Sequence, residues 1–224
     1  MSRRGRFPVF FAAMLLAGGP WGAAAQSGGP ATVTVDYSNP GLTPAHWTLE
    51  LHRDGRGYFR ADGAKPHTTG VERLEAGAVD REIQLKPEFA GRLFAAAERH
   101  RFFNVACESR LKVAFQGFKT LSYSGPDGKG SCTFNYSTDK EIQALGDALT
   151  AVATTLLEGA RLEMLLQHDR LGLDQETQFL AEAVRDGRAQ QVGAIREILE
   201  RLAQDESVLE RVRKRARQLL ERDS

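Results

Sequence analysis

Residues 118–139 read FKTLSYSGPDGKGSCTFNYSTD, and this stretch is the strongest guide to the fold. Its centre, GPDGKGS, brings together Gly, Lys and Ser, as a phosphate-binding loop does. A loop of that kind, G-x-x-x-x-G-K-[ST], needs four spacer residues between its glycines and a Ser or Thr directly after Lys. Only two residues separate Gly125 from Gly128, and a further glycine follows Lys129. The stretch therefore does not predict a nucleotide site.

The same stretch predicts a β-hairpin that turns at Asp127-Gly128. Asp-Gly is a strong hairpin signal, because Gly adopts positive φ readily and Asp tolerates the left-handed region. The flanking residues alternate with period two, as a half-buried strand requires. Pairing that is symmetric about this dipeptide opposes Tyr123 with Cys132, Leu121 with Phe134, and Lys119 with Tyr136. Pro126 also suits a three-residue loop, which leaves the register open.

Other alternating segments predict the remaining strands. A second Asp-Gly turn, at Asp54-Gly55, lies between two alternating runs, and residues 31–37 and 79–85 alternate as well. Residues 111–124 return to period two, with apolar residues at Leu111, Val113 and Phe115, and Gly117 is interpreted as a bulge. Together with the second strand of the Asp127-Gly128 hairpin, these segments give about six strands.

Helical patterns follow the fourth predicted strand and then dominate the chain after residue 137. Pro87 suits a first helical position, and Phe102 and Phe103 are expected to fill the core where that helix ends. Thr138 is the predicted N-cap of a later helix, with Glu141 completing a capping box. Beyond residue 160 only helical patterns occur, and Gly172 and Gly187 are their C-cap candidates. One apolar stripe consists of Val192, Ile195, Leu199 and Leu202, and a second consists of Val208, Val212, Ala216, Leu219 and Leu220.

These patterns predict an α+β fold. A mostly antiparallel sheet of about six strands carries packed helices and is followed by an all-helical C-terminal extension. The predicted segments are a signal peptide (1–25), a linker (26–31), the α+β domain (32–158) and the helical extension (159–224).

Residues 1–25 have the features of a secretory signal peptide. Three arginines precede a short apolar run from Phe7 to Leu16, and three alanines form a cleavage site before Gln26. The run is too short to span a membrane, and general secretion is favoured over twin-arginine export. Cleavage removes three of the 30 basic and none of the 29 acidic residues, which leaves a net charge of −2. We expect a periplasmic or secreted protein without a nucleic-acid partner.

Cys107 and Cys132 are the two cysteines of the chain. An even count in an exported chain favours a disulfide, and a loop of about 25 residues would stabilise the fold by roughly 3 kcal/mol. Two buried free thiols are one alternative. The other is a nucleophilic cysteine, which needs a histidine and an orienting acid nearby in space, and His100 is the closest histidine in sequence.

No motif of the chain predicts a catalytic residue, a cofactor site or a metal site. The five histidines form neither H-E-x-x-H nor a close pair at ligand spacing. His46 and His52 share the parity of one strand but lie roughly 20 Å apart along it. The sequence also contains no G-x-S-x-G elbow and no dinucleotide fingerprint.

A basic cluster near the C-terminus is the other candidate surface. Its five cations lie within RVRKRAR and are Arg211, Arg213, Lys214, Arg215 and Arg217. One interpretation is a solvated last helix, because cations are favoured near a helix C-terminus. The other is a contact with acidic lipid headgroups, envelope polymers or an acidic partner protein.

Four pieces of the chain resemble a class of exported bacterial α+β domains of unknown function. They are LELHRDGRGYF, GRLFAAAERHRFF, KTLSYSGPDGKGSCTF and EIQALGDALTAVATTL. Domains of that class combine a strand pair around a D-G turn, a helix ending in Phe-Phe, a second strand pair and a closing helix. The resemblance covers about residues 46–157. It implies the fold and no catalytic role, because the matching residues belong to turns and to the core.

The function expected from the sequence is a non-enzymatic envelope binding or interaction protein, with the helical extension as its partner surface. One alternative is a periplasmic hydrolase or thiol enzyme whose site assembles from distant residues. Another is peripheral membrane association through the basic cluster, which predicts binding to anionic vesicles that weakens with salt.

The intact, unreduced mass of the protein from the cell envelope tests both the export signal and the cysteine pairing. We expect a chain that begins at Gln26, is two hydrogen atoms lighter than the reduced form and takes up no alkylating reagent. A full-length mass with two alkylated thiols would contradict both predictions.

Overall fold

The computed structural model describes residues 29–63 and 77–223. The predicted signal peptide and the first part of the predicted linker lie outside these ranges, as do residues 64–76 between the third and fourth strands. The described residues form six β-strands and five α-helices. In chain order they are β1 (Thr32–Ser38), β2 (His46–His52), β3 (Arg56–Ala61), β4 (Val79–Gln84), α1 (Pro87–Arg99), β5 (Phe118–Gly125), β6 (Gly128–Phe134), α2 (Lys140–His168), α3 (Gly172–Arg185), α4 (Arg196–Gln204) and α5 (Glu210–Asp223).

The strands form one antiparallel sheet in the order β4-β3-β2-β1-β5-β6. Alternate residues of every strand point into one apolar core, as in β1, where Val33, Val35 and Tyr37 are buried. The helices join this core, while the opposite face of the sheet carries mostly polar side chains. The predicted α+β fold with helices after the sheet is therefore confirmed.

The Asp54-Gly55 hairpin forms as predicted, between β2 and β3. Its loop is Arg53–Gly55, and the Gly55 N–H donates to the carbonyl of His52 at 3.0 Å. Gly55 has a φ of 84°, and a Cβ atom there would lie 2.2 Å from the carbonyl oxygen of Leu85. Glycine is required at this position both for the backbone conformation and for the close approach of the chain after β4.

The second hairpin forms, but the register predicted from symmetry about Asp127-Gly128 is wrong. The loop is Pro126-Asp127, closed by Gly125 opposite Gly128, so Leu121 pairs with Cys132. Tyr123 accordingly pairs with Gly130, and Lys119 with Phe134. Proline favours the first loop position because its φ is fixed, and this moves the centre of the loop by one residue. The shift of two residues in each pair keeps the apolar residues on the predicted face.

The glycines of GPDGKGS accommodate a turn of the chain rather than a phosphate. After α1, the 3₁₀ turn Arg101–Phe103 has three consecutive residues with φ between 53° and 64°. Phe103 is fully buried, and the Phe102 ring stacks on Tyr123 with centroids 4.8 Å apart. A Cβ atom on Gly128 would lie 2.3 Å from the Phe102 ring. The expectation that both phenylalanines fill the core is confirmed for Phe103, while Phe102 is partly buried against β6.

The prediction of a strand that begins at Leu111 is wrong for residues 111–117. β5 begins only at Phe118, and the preceding residues have no strand pairing. Gly117 has a φ of 103°, and a Cβ atom there would lie 2.4 Å from the Tyr37 hydroxyl. The glycine marks a change of direction rather than a bulge within a strand, because the chain must pass over the Tyr37 ring before it joins the sheet.

α2 is capped by Asp139 rather than by the predicted Thr138. The Asp139 carboxylate accepts hydrogen bonds from the N–H groups of Glu141 and Ile142, at 3.0 and 3.2 Å. The predicted capping box is wrong because the carboxylate of Glu141 contacts Arg99 and His100 instead. The helix is 29 residues long and continues without interruption across the predicted division at residues 158 and 159.

The helices after α2 bury the apolar stripes that the sequence predicts, including Val192, Leu202 and Val212. Gly187 has a φ of 76° after the last turn of α3, as a C-cap glycine should. The prediction for Gly172 is wrong, because this residue begins α3. The N–H of Gly172 donates to the carbonyl of Asp169 at 3.2 Å, so the chain turns into the next helix without a C-cap glycine.

Two glycine substitutions separate backbone strain from steric conflict. Gly187→Ala lowers the free energy of unfolding by about 1–2 kcal/mol, because the site has positive φ but open space. Gly55→Ala has the same backbone strain and adds a steric conflict with the Leu85 carbonyl, so it lowers the free energy of unfolding by about 2 kcal/mol more than Gly187→Ala does. Urea unfolding of the two variants measures the difference. Equal losses would contradict the close approach at Gly55.

Candidate interaction surface

A segment that we call the strap, residues 110–116, lies on the surface between the disulfide and β5. Its N-terminal side is fixed to the end of β6 by three contacts. The sulfur atoms of Cys107 and Cys132 lie at disulfide distance, 1.93 Å, with their Cα atoms 5.7 Å apart. The Glu108 carboxylate accepts the N–H of Asn135 at 2.6 Å, and the Ser109 N–H donates to the carbonyl of Tyr136 at 2.9 Å.

The C-terminal side of the strap is fixed by Asn135 and Tyr37. The Asn135 side chain accepts the N–H of Gln116 at 2.6 Å and donates to the carbonyl of Ala114 at 3.1 Å. The Tyr37 hydroxyl donates to the carbonyl of Gln116 at 2.7 Å. Since Asn135 and Tyr37 are themselves buried, the strap is held at both ends by ordered parts of the core.

The strap exposes apolar side chains at alternate positions. Leu111, Val113 and Phe115 are 59%, 40% and 51% exposed, and Phe118 at the start of β5 is 48% exposed. The Phe115 and Phe118 rings meet edge to face with centroids 5.1 Å apart. Neighbouring apolar groups left in water are typical of a surface that binds another molecule.

Only some main-chain groups of the strap form hydrogen bonds with the rest of the protein. The groups that bond to Asn135 and Tyr37 belong to even-numbered residues, namely the carbonyls of Ala114 and Gln116 and the N–H of Gln116. The N–H of Leu111 donates to the Ser109 hydroxyl at 3.2 Å. Among residues 29–63 and 77–223, the main-chain groups of Val113 and Phe115 have no hydrogen-bond partner. The Ala114 carbonyl and the Gln116 N–H both bond to Asn135, as the same-side groups of an extended chain do, and in such a chain the groups of the odd-numbered residues face the opposite side.

A groove of about 890 Å³ lies beside the first hairpin on the open face of the sheet. Its lining includes Glu50, His52, Tyr58 and Glu82 together with several arginines. Part of this charge is neutralised locally, as by the ion pair of Arg56 with Asp54 at 2.7 Å. Hydrogen bonds from Arg56 lower the pKa of Asp54. The mixed charges of this groove define no single ligand chemistry.

Two of the four histidines that the structure describes lie beside carboxylates. His46 Nε2 lies 3.0 Å from the carboxylate of Asp36, and His52 lies at the other end of β2. His100 Nε2 lies 2.8 Å from Glu141 and Nδ1 lies 3.6 Å from Asp139, which links the end of α1 to the start of α2. No group of three or more metal-ligating side chains occurs within the described ranges.

The basic cluster of α5 is largely engaged within the chain. Arg211 and Arg215 contact the two carboxylate oxygens of Asp174 at 2.7 and 2.6 Å, which ties α5 to the start of α3. These contacts lower the pKa of Asp174. Arg213 and Arg217 contact Glu210 at 2.5 and 2.7 Å. Four of the five cations therefore have an internal carboxylate partner, while binding of an anionic partner by the whole cluster stays a prediction.

The cysteine pair bears on the thiol-enzyme alternative raised by the sequence. Both cysteines belong to the Cys107–Cys132 pair, so neither sulfur is a free thiol. A thiol mechanism would first require reduction of this pair. Within the described ranges, no helix combines the length and the apolar content that a membrane span needs.

Comparison with known proteins adds no family to these observations. No protein-family model and no curated protein matches this chain. The resemblance to exported α+β domains stays a prediction.

The sequence held the signal for the strap, although it was interpreted as a paired strand. The alternation of Leu111, Val113 and Phe115 predicts a strand with one apolar face. Nothing in the sequence shows that β1 and β6 already flank β5, so that residues 111–117 are left without a strand partner. The predicted site residues Cys107 and Cys132 lie beside this segment, whereas the basic cluster lies on a different element.

The ion pairs of Glu141 predict a loss of stability in acid. Hydrogen bonds from Arg99 and His100 lower its pKa from 4.5 to about 2. Because folding lowers this pKa, the contacts stabilise the fold above about pH 4.5, and that contribution is lost as the pH falls toward 2. Glu141→Gln lowers the free energy of unfolding by about 1 kcal/mol at pH 7, since the site is partly exposed.

Urea titrations at pH 7, 4 and 2.5 measure this effect. The difference between Glu141→Gln and the native chain narrows as the pH falls. Glu82→Gln is the control, because Glu82 forms no ion pair within the described part of the chain. A constant difference at all three pH values would contradict the assignment.

Proposed function

We propose that this chain is an exported, non-catalytic interaction protein that binds its partner through the strap. The observation that carries the proposal is the exposure of Leu111, Val113 and Phe115, all at least 40% exposed, together with the main-chain groups of Val113 and Phe115, which have no partner among the described residues. A surface that offers both apolar contact and hydrogen bonds is suited to another polypeptide.

The fixed ends of the strap support a role in binding rather than in packing. Its side chains cover no part of the core, so they contribute little to the stability of the fold. The disulfide, Asn135 and Tyr37 nevertheless hold its main chain in place. An ordered segment whose apolar side chains stay largely exposed is what a preformed binding edge requires.

The disulfide also supports the exported location. Disulfides persist in the periplasm and outside the cell, whereas the cytosol keeps thiols reduced. The Cys107–Cys132 pair lies directly before the strap, so the oxidising compartment that preserves it also preserves the anchor of the proposed binding edge.

The proposed partner surface is the strap and not the helical extension that the sequence suggested. Four cations of the basic cluster contact Asp174 or Glu210, so their charge is already used to hold α5. The strap contains two basic residues, Arg110 and Lys112, and both are exposed. Neither forms a salt bridge with a carboxylate of the described residues.

Site-specific photo-crosslinking in intact cell envelopes tests this proposal. The crosslinking residue p-benzoylphenylalanine replaces Phe115, and in a matched variant it replaces Phe179, a phenylalanine of α3 that is 40% exposed. We expect a discrete adduct from position 115 and none from position 179. Leu111→Ser/Val113→Ser in the same chain reduces the adduct at least fivefold, since both apolar contacts are lost.

The stability of the Leu111→Ser/Val113→Ser variant provides the control. Substitutions at exposed positions change the free energy of unfolding by only about 0.5 kcal/mol each, so the variant remains folded. Absence of an adduct at position 115, or equal adducts at the two positions, would overturn the strap as the binding surface. An adduct at position 179 alone would favour the helical extension instead.

A further inference from the structure

We infer that the strap takes, as an added strand, an extended segment of another protein in which apolar and acidic residues alternate. This inference rests on the proposed function and names the chemistry of its partner. It follows from three observations: the direction of the free main-chain groups, the alternation of apolar side chains, and the sign of the charges between them.

The main chain sets the geometry of the added strand. In an antiparallel pair, the residues whose N–H and C=O groups face the partner recur at every second position. The groups of Val113 and Phe115 recur in this way, while those of Ala114 and Gln116 face Asn135 and Tyr37. A second strand can therefore bond to the outer side of the strap without displacing any hydrogen bond of the protein.

The side chains set the composition of the added strand. Leu111, Val113 and Phe115 share one parity and favour apolar residues opposite them, because cross-strand neighbours stabilise each other when their chemistry matches. Arg110 and Lys112 share the other parity, and residues 109–117 contain no carboxylate. Glu108, which precedes them, accepts the N–H of Asn135 at 2.6 Å. Acidic residues on the partner complement these two cations.

Charge also disfavours a second copy of this chain as the partner. The antiparallel register that matches all three apolar residues centres on Val113 and sets Leu111 opposite Phe115 of the other copy. In that register Lys112 lies diagonally across from Lys112 of the other copy, at roughly 7–8 Å between Cα atoms. Lysine on an exposed edge is a common device against pairing of identical strands.

The test uses three capped synthetic heptapeptides in which valine alternates with glutamate, lysine or serine. Each is titrated into the isotope-labelled mature protein while amide NMR shifts are followed. We expect the glutamate peptide to bind about fivefold more tightly than the serine peptide, because two cross-strand charge pairs are added. The amide shifts of Val113 and Phe115 change most, and the preference falls as salt is raised.

Charge reversal provides the matched variants. Arg110→Glu/Lys112→Glu binds the lysine peptide in preference to the glutamate peptide. Lys214→Glu/Arg222→Glu changes the net charge equally on exposed positions of α5 and keeps the native preference. This pair of variants separates contacts at the strap from attraction by the overall charge of the protein.

Three results would overturn the inference. The first is a glutamate peptide that binds no tighter than the serine peptide. The second is a set of amide shift changes that maps to residues outside the strap. The third is a dimer, seen by sedimentation, that Leu111→Ser/Val113→Ser dissociates, because a second copy would then be the partner. If position 115 still forms its adduct with another protein while the peptides show no preference, only the acidic partner fails and the proposed function stands.

Discussion

The continuous helix α2 is the constraint on which the rest of the structure depends. Its first half lies against the sheet at Gly146, where a Cβ atom would come within 2.9 Å of Phe134. Its second half lies against the helical extension at Gly159, where a Cβ atom would lie 2.4 Å from Ile195. Because no break separates the two contacts, α2 fixes the extension relative to the sheet, and one apolar core runs through both.

The strap depends on a second set of close contacts, around the turn after α1. The left-handed turn Arg101–Phe103 directs Phe103 into the core and lays Phe102 across Gly128. From there the chain passes Cys107, which is cross-linked to Cys132 on β6, and then continues as the strap. The glycines of GPDGKGS thus let the turn after α1 lie close to the edge strand β6, and the strap that follows is fixed to the end of the same strand.

Much of the fold could be predicted because period-two and helical patterns reflect burial, which the sheet and the helices preserve. Val33 and Val35 face the core whatever strand pairs with β1. Strand register and helix caps were harder to predict, because each depends on a choice between adjacent residues. Pro126 takes the first position of the hairpin loop, and Asp139 rather than Thr138 is the N-cap. The strap could not be foreseen, since an alternating segment predicts the shape of a strand but not the presence of a neighbour. The groove on the open face brings together residues of three strands and the loops beside them, and it leaves no local signal in the sequence.

The position of β1 at the centre of the sheet also constrains the order in which the fold can assemble. β1 pairs locally with β2, but its other edge pairs with β5, as in Val35 with Leu121. A chain that emerges N-terminus first can form the first four strands while that edge of β1 is still bare, and an uncovered strand edge is prone to pair with other chains. Completion of the sheet must wait for the second hairpin, and such long-range pairing is intrinsically slow. Until the second hairpin is made, the edge of β1 that later pairs with β5 remains open to other chains.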